Sequence, residues 1–463
     1  MNSNSKKLVL LLGDIVIIYL SLFLTVYLRY SNIDPAHTNF TTSQLFFLHV
    51  KVFTPLIFAW LVIFYIHNLY EITSAKNTLE FYSSLARSLV INFFAAVLFF
   101  YFASLTEIAP KTNLFIYFAI FSFLFLLWRG QVNSVLKSKF LVSTVVMSDD
   151  DRDFRLALKL NQNPQVGYKV IFFAGSKPAN EGPNKFWPEF LSPSKKINIS
   201  DLVQNNKVKA FIIDDKFFNK DVLVTSLSDF VGRIEITNLT KFNERVWRKV
   251  DINGVNNLWF LNNFSSGRRL GYEFVKRVVD FIASLVFFPL AIVLGVAIAI
   301  IIKLEGRGPI FYKQVRIGHR GKLFTLIKFR TMRTDAEATG AQWTVQDDNR
   351  ITKGGRFLRK TRLDELPQLI NIIKGEMSFV GPRAERPEFH ELLIKEILFY
   401  EKRYLVKPGL TGWAQINYTY GSSVEDTKEK LSYDFYYLKN RSLVFDIGII
   451  LKTVNIVLSG LGR

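Results

Sequence analysis

Residues 276–305 read KRVVDFIASLVFFPLAIVLGVAIAIIIKLE, and this stretch decides how the C-terminal part of the chain meets a membrane. Phe281 to Ile302 is 22 residues without a charge, which is long enough to cross a bilayer. Basic residues crowd both ends, so a crossing helix would put one basic cluster on the outer face, against the positive-inside bias. Pro289 removes a helix hydrogen bond in the middle and favours a kink. The sequence therefore predicts a re-entrant helix over 276–302 that bends at Pro289, with a kinked crossing helix as the alternative.

The whole composition is that of a basic membrane protein. The chain of 463 residues has a net charge of +20 and a mean hydropathy of +0.18, with 44 Phe. Because it has no cysteine, disulfides, cysteine zinc sites and thiol catalysis are excluded. The charge indicates an acidic partner, and in a chain this apolar an anionic membrane surface or a phosphorylated substrate is favoured over nucleic acid.

Four apolar stretches in region 1–135 predict four N-terminal transmembrane helices, at about 8–28, 52–66, 89–105 and 114–128. Lysine and arginine accumulate on one side of the four predicted helices. The positive-inside rule then places the N-terminus and everything after Lys137 in the cytoplasm. Asp14 inside the first span indicates either a proton path or a carboxylate that snorkels or pairs with a neighbouring helix.

The segment 140–262 has the composition of a soluble α/β domain. Buried-type strands at 141–146, 169–173 and 210–213 alternate with helical stretches, which predicts a Rossmann-like parallel sheet. A dinucleotide site needs a glycine-rich loop after the first strand, but Asp149, Asp150 and Asp151 stand there and would repel a pyrophosphate. We interpret the domain as a degenerate Rossmann-like fold without bound nucleotide, since a solvated acidic turn is favoured over a metal site.

The chemistry-bearing motif is Asp364-Glu365, which follows a run of five basic residues between 353 and 362. The stretch 366–373 reads as a helix with Pro367 in its first turn, so Asp364 is predicted near the N-cap and Glu365 in the first turn. Free N–H groups at a helix N-terminus and nearby arginines suit a phosphate. A carboxylate among cations stays ionised and is available to attack phosphorus or to hold Mg²⁺.

Further motifs follow in order, and together they resemble a known family. The stretches 276–280, 328–332, 363–368, 378–383 and 407–417 are similar to the catalytic domain of bacterial sugar transferases, the monotopic phosphoglycosyl transferases acting on polyprenyl phosphate. The resemblance covers 270–463, and the preceding regions look like the large subgroup that initiates exopolysaccharide, capsule or O-antigen synthesis. The tyrosine-rich end after Asn417 looks like the exosortase-associated branch.

The resemblance implies a membrane protein of the inner bacterial membrane, α plus α/β, with a monotopic catalytic domain on the cytoplasmic side. It implies transfer of a hexose 1-phosphate from a UDP-sugar to undecaprenyl phosphate, with release of UMP. Asp364 would be the nucleophile, Glu365 would help to bind Mg²⁺, and both would lie at the metal. Substrate contacts are assigned to Lys328, Arg330, Arg359, Arg383 and Trp413. Inner-membrane lipids, downstream glycosyltransferases and a second copy of the chain are the expected partners.

One departure from the family pattern and two rival functions stay open. Where many members continue with Gly-Arg-Asn, this chain reads Tyr418-Thr419-Tyr420-Gly421, so a donor-binding arginine is absent or supplied elsewhere. A membrane-bound nucleotide-sugar dehydratase would use a Tyr-x-x-x-Lys pair, a spacing that Tyr272 and Lys276 have, but no glycine-rich NAD loop precedes them. The other rival is a non-catalytic scaffold for a polysaccharide assembly complex. The Trp of the 407–417 loop is predicted to be exposed, and the apolar end 443–458 is predicted to be an interfacial helix.

Overall fold

The computed structural model describes residues 3–31, 41–102, 110–175, 185–191, 198–214, 221–264, 269–336, 348–418 and 423–458. The end of the third predicted span, 103–105, and residues 419–421 lie outside these ranges. The chain forms two compact units, Met1–Phe242 and Asn243–Arg463.

Four long apolar helices occupy the places where the sequence predicts membrane spans. They are α1 (Ser3–Tyr30), α2 (Thr42–Ile66), α3 (Leu79–Phe102) and α4 (Pro110–Ser138). Their inward faces share one aromatic-rich core, and their outward faces expose large apolar side chains such as Phe58 and Phe94. Asp14 is fully buried and pairs with Arg129 of α4 at 2.5 Å, so it is a helix-paired carboxylate.

A five-stranded sheet completes the first unit. Its elements are β1 (Val142–Met147), α5 (Asp151–Gln162), β2 (Tyr168–Ala174), β3 (Glu189–Leu191), α6 (Ile199–Gln204), β4 (Ala210–Ile213), α7 (Asp221–Ser228) and β5 (Glu235–Asn238). The strand order is β3-β2-β1-β4-β5 with every neighbouring pair parallel, which is the order of doubly wound folds. The three predicted strands are confirmed as β1, β2 and β4.

In the turn after β1, a side chain of the turn itself binds a backbone N–H group. The hydroxyl of Ser148 accepts a hydrogen bond from the backbone N–H of Asp150 at 3.1 Å and donates one to Asp153 at 2.5 Å. A phosphate loop instead offers backbone N–H groups to its ligand. The absence of a dinucleotide from this domain stays a prediction.

The second unit is built around one long helix and two small sheets. Its elements are α8 (Leu239–Trp247, which begins in the first unit), α9 (Asn257–Phe264), α10 (Leu270–Glu305), β6 (Phe311–Ile317), β7 (Leu323–Phe329), α11 (Lys353–Lys360), α12 (Gln368–Lys374), β8 (Ser378–Val380), α13 (Pro387–Glu396), β9 (Gly409–Thr411), α14 (Trp413–Asn417), α15 (Val424–Asn440) and α16 (Leu443–Leu458). β6 and β7 form an antiparallel hairpin, and β8 pairs with β9 in parallel.

The first unit ends at Phe242, and the bounds of the middle domain, 140–262, stay a prediction. Val250, Val255 and Phe260 pack in the second unit with Leu393 and Phe435. This apolar contact is between segments far apart in the chain, which composition alone does not reveal.

Helix α10 is continuous over 36 residues, with Pro289 inside it. Both halves of α10 are hydrogen-bonded to other elements of the second unit. Arg277 donates hydrogen bonds to the carbonyls of Ile372 and Ile373 at 2.6 and 2.7 Å, and Glu305 accepts one from the hydroxyl of Thr352 at 2.7 Å. Among the described residues, α1, α2, α3, α4 and α10 are the five helices that are long and apolar enough to cross a membrane by length and composition.

Helix α16 is attached to the start of α10 by a buried carboxylate. Asp446 accepts hydrogen bonds from Tyr272 at 2.8 Å, from Lys276 at 2.7 Å and from Tyr437 at 2.8 Å. The exposed side of α16 carries apolar residues such as Val444, at 82% exposed, and Ile447. One buried polar face and one exposed apolar face suit the predicted interfacial helix.

Candidate active site

The paired carboxylates lie on a tight turn and not inside the helix that follows. Leu363–Glu365 is a single 3₁₀ turn, and α12 begins only at Gln368, with Pro367 as its N-cap. The prediction that Glu365 occupies the first helical turn is therefore wrong, because Pro367, which the sequence places in that turn, is the N-cap and the helix begins after it. Arg362, with a positive φ of 56°, turns the chain from α11 into the 3₁₀ turn.

Glu365 is buried and held by three cations. Its carboxylate accepts hydrogen bonds from Lys328 at 3.0 Å and Arg383 at 3.3 Å on one oxygen, and from Arg362 at 3.4 Å on the other. Burial alone would raise the pKa of Glu365, but the charges of Lys328, Arg383 and Arg362 outweigh it and hold that pKa well below its usual range. Glu365 is therefore ionised at neutral pH.

Asp364 is the contrasting neighbour. It is 8% exposed, and no group among the described residues donates a hydrogen bond to its carboxylate. Burial first, and then the adjacent charge of Glu365, raises the pKa of Asp364 to about 6, against the opposing charges of Lys328, Arg359 and Arg383. Such a carboxylate is ionised at pH 7, poorly solvated and free to react, which is the state that a nucleophile needs.

Arg359 and Arg383 approach Asp364 from two different elements. Arg359 comes from the last turn of α11, and burial lowers its pKa while the charge of Asp364 opposes that shift. Its guanidinium makes no hydrogen bond or ion pair with the described residues. Arg383 follows the β8 strand and also donates to Gln415 of α14 at 3.1 Å. Both arginines therefore lie where they can contact a phosphate that reaches Asp364.

A buried charge network, which the sequence reasoning missed, supports the loop that carries Arg383. Arg403 donates to the backbone carbonyl of Arg383 at 3.1 Å and pairs with Asp434 at 2.9 Å. Arg316 donates to the carbonyl of Ala384 at 3.0 Å. No sequence signal links Arg403 to Asp434, because the two residues lie 31 positions apart and neither belongs to a recognisable motif.

Two of the predicted substrate residues have other partners. Arg330 donates hydrogen bonds to the carbonyls of Ile302, Gly306 and Arg307, at the C-terminal end of α10, although it also borders the cavity. Trp413, predicted to be exposed, is 4% exposed, and its indole N–H donates to the carbonyl of Arg248 at 2.8 Å. The prediction of exposure is wrong, since the ring packs with Tyr436 and Phe445 in a core that the sequence cannot show.

The site opens into a cavity of about 520 Å³. Eleven cationic but only four acidic side chains among the described residues line it, so its walls attract anions. The acidic four are Asp364, Glu365, Glu385 and Asp434. The cationic eleven are Arg316, Lys328, Arg330, Arg333, Arg350, Arg359, Arg362, Arg383, Arg386, Arg403 and Lys430.

Comparison with known proteins places this site in a described family. The family model for the bacterial sugar transferases matches residues 271–460. The UDP-N-acetylgalactosamine-undecaprenyl-phosphate N-acetylgalactosaminephosphotransferase of Aeromonas hydrophila is 43% identical over 191 residues, which are 41% of this chain and 45% of that protein. The UDP-glucose:undecaprenyl-phosphate glucose-1-phosphate transferase of Xanthomonas campestris pv. campestris is 41% identical over 180 residues, covering 38% and 36% of the two chains.

A shorter relative is matched almost throughout. The exopolysaccharide production protein PSS of Rhizobium leguminosarum bv. phaseoli is 38% identical over 189 residues, which are 39% of this chain and 93% of that protein. The chain thus spans less than half the length of the first two relatives and nearly all of the third.

Proposed function

The chain belongs to the bacterial sugar transferase family, and on that premise we propose that it transfers a sugar 1-phosphate from a UDP-sugar to undecaprenyl phosphate, releasing UMP. The observation that carries the proposal is the pair Asp364-Glu365 at the wall of a strongly basic cavity. Among the described residues, no hydrogen-bond donor contacts the carboxylate of Asp364, whereas three cations hold that of Glu365. The undecaprenyl-phosphate transferases of Aeromonas and Xanthomonas support the choice of substrates.

The first step is attack by a carboxylate oxygen of Asp364 on the phosphorus that bears the sugar. A bond forms between this oxygen and phosphorus, and the bond from phosphorus to the bridging oxygen of the diphosphate breaks, so that UMP departs with the bonding electron pair. Arg359 and Arg383 are positioned to contact the phosphate oxygens, on which negative charge is concentrated in the transition state.

The second step regenerates the carboxylate. A phosphate oxygen of undecaprenyl phosphate attacks the phosphorus of the acyl phosphate on Asp364, and the bond to the carboxylate oxygen breaks. The product is a sugar joined to the lipid through a diphosphate. Lys328 and Arg362 hold Glu365 in place through both steps, which keeps its charge close to that of Asp364.

Mg²⁺ is part of the proposal, and the donor set fits it. This ion is usually held by one or two carboxylates together with substrate phosphates. Asp364 lacks a hydrogen-bond donor among the described residues, and one oxygen of Glu365 has only the 3.4 Å contact from Arg362, so both can supply an oxygen ligand. When bound, the ion neutralises the charge of the diphosphate and of the departing UMP.

The packing of α10 supports a re-entrant arrangement with the catalytic unit on the cytoplasmic side. If the helix were straight, Arg277 and Glu305, which are 28 residues apart, would be separated by about 42 Å, beyond a hydrocarbon core of about 30 Å. Yet Arg277 near one end and Glu305 at the other both contact the same compact unit. Two ends on opposite faces of a bilayer would not both reach it, so we propose that both lie on one side.

The dehydratase alternative loses its main support in the contacts of Tyr272 and Lys276. Both side chains bind Asp446 and attach α16 to α10, so the pair has a structural role. The scaffold alternative is decided by activity alone.

The test is UMP release by the purified full chain, with UDP-glucose, UDP-galactose and their N-acetylhexosamine counterparts as donors and undecaprenyl phosphate as acceptor. We expect continuous release with at least one donor, dependent on the lipid, and loss of release in Asp364→Asn. Absence of UMP with every donor, in protein that is folded by circular dichroism, would overturn the proposal in favour of a scaffold.

A further inference from the structure

The basic run before Asp364 divides into two faces of one helix. Arg359 points into the catalytic cavity, whereas Lys353, Arg356, Phe357 and Lys360 are exposed, Phe357 at 56%. These four positions are i, i+3, i+4 and i+7 of α11, so they form one stripe along the helix. We call them the exposed stripe of α11.

The exposed stripe has no partner within the part of the chain that the structure describes. Neither Lys353, Arg356 nor Lys360 makes an ion pair or a side-chain hydrogen bond with a described residue. Salt bridges occur elsewhere in the unit, as between Lys276 and Asp446. Three unpaired cations around an exposed phenylalanine combine the charge and the apolar side chain that suit an anionic lipid surface.

The exposed stripe continues directly from the apolar helix. On the inner side of α11, Leu358 packs against Ile298 and Ile302 near the end of α10. Glu305, the last residue of α10, accepts hydrogen bonds from the hydroxyl of Thr352 and from the backbone N–H of Gly354, at the start of α11.

The end of α10 also fixes the depth of α11. Its apolar run stops at Ile302 and is followed by Lys303, and the last turn exposes Leu304 at 83%. In the membrane arrangement of α10 that is proposed above, α11 starts where the embedded run ends, which puts it at the level of the lipid headgroups.

We propose that the exposed stripe of α11 binds anionic phospholipids, with Phe357 inserted among the acyl chains and Lys353, Arg356 and Lys360 at the headgroup phosphates. The charge complementarity and the continuity with α10 both support this partner. The contact would hold the helix that carries Arg359 at the membrane surface. The proposal rests on the membrane arrangement of α10 proposed above and not on the proposed reaction.

The absence of native cysteine makes the test site-specific. Phe357→Cys in the full chain is spin-labelled and reconstituted into nanodiscs of phosphatidylcholine, with or without phosphatidylglycerol. Its accessibility to oxygen and to a polar nickel complex is then measured by electron paramagnetic resonance. The matched control is Leu398→Cys, an equally apolar position that is 70% exposed just beyond α13.

We expect the label at 357 to be reached by oxygen and protected from nickel, while the label at 398 stays accessible to nickel. Phosphatidylglycerol should increase the protection at 357, and the triple variant Lys353→Gln, Arg356→Gln, Lys360→Gln should abolish that increase. Equal nickel accessibility at 357 and 398 would overturn the membrane contact. Protection at 357 that is the same with and without phosphatidylglycerol would overturn the binding of anionic lipid.

Discussion

Replacing Arg359 by glutamine should move the pH dependence of the first half-reaction toward higher pH. Only the ionised carboxylate of Asp364 can attack phosphorus, so the rate should fall as the pH drops through the pKa of Asp364, about 6. Arg359 is one of three cations that favour the ionised form, and its guanidinium has no hydrogen bond or ion pair with the described residues. Its removal therefore changes the charge near Asp364 and breaks no hydrogen bond or ion pair among the described residues.

The size of the effect follows from the shift of one titration. Losing a nearby opposite charge raises a carboxylate pKa by about one unit or more. A shift from about 6 to about 7 lowers the ionised fraction at pH 6 from about one half to about one tenth, a rate loss of about fivefold. Near pH 8 Asp364 is ionised in both the wild type and the variant. Any loss of rate that persists there therefore measures the missing contact between Arg359 and phosphate.

The assay is the rate of UMP release from UDP-sugar before lipid acceptor is added. Omitting the acceptor matters because a phosphate monoester itself titrates near pH 6. Lys360→Gln is the matched control, since it removes the same charge one residue later on the exposed side of α11. A wild-type rate that does not change between about pH 5 and pH 8, or equal profiles for the two variants, would refute the role given to Asp364.

Three further outcomes test separate parts of the account. Single cysteines at Leu270 and Leu304, near the two ends of α10 and exposed, should react with an impermeant thiol reagent from the same side of sealed vesicles; reaction from opposite sides would contradict the re-entrant helix. Trp413→Phe should lower the free energy of unfolding by about 1 kcal/mol, because the hydrogen bond to the carbonyl of Arg248 is lost. The KM for the UDP-sugar should not change. A raised KM at unchanged stability would show that the indole binds substrate. Asp434→Asn should destabilise the protein by about 3 kcal/mol in chemical denaturation, because the buried Arg403 loses its charge partner. It should also reduce kcat, since Arg403 supports the loop that carries Arg383. A wild-type unfolding midpoint and full kcat would exclude this role of Asp434 in positioning the loop.

The helices and strands that the sequence predicted correctly are those with a strong local signal. The four N-terminal helices and strands β1, β2 and β4 are mostly apolar runs, whose length distinguishes a membrane-length helix from a buried strand. The start of α12 was misplaced, because Pro367 is acceptable both as a cap and in a first helical turn. Local rules allow both positions, and only the 3₁₀ turn of the folded chain distinguishes them.

The sequence does not predict which side chains and carbonyls bind each other when they are far apart along the chain. Trp413 bonds to a carbonyl 165 residues earlier, and Arg330 caps the end of α10, 23 to 28 residues earlier. The sequence could not show these partners, and the assignment of Trp413 and Arg330 to substrate binding stays a prediction. Nothing in the sequence singles out Asp434 either, which is buried against Arg403.

The convergence of Lys328, Arg383 and Glu365 was foreseen only in part. The resemblance to a family placed these residues in one site, but it gave no reason for three cations on a single carboxylate. The structure supplies one: the cations fix Glu365 as a permanent charge, and that charge together with burial leaves Asp364 with a pKa of about 6.

The most direct test of the covalent mechanism is a rapid-quench measurement with UDP-sugar and no lipid acceptor. We expect a burst of UMP equal to the amount of active enzyme, because each Asp364 is modified once. We also expect a sugar phosphate on the tryptic peptide 363–374, which contains Asp364, and loss of both in Asp364→Asn. Addition of undecaprenyl phosphate should then discharge the adduct. Wild-type protein that transfers sugar phosphate to the lipid at full rate, yet shows neither burst nor adduct, would contradict the assignment of Asp364 as the nucleophile.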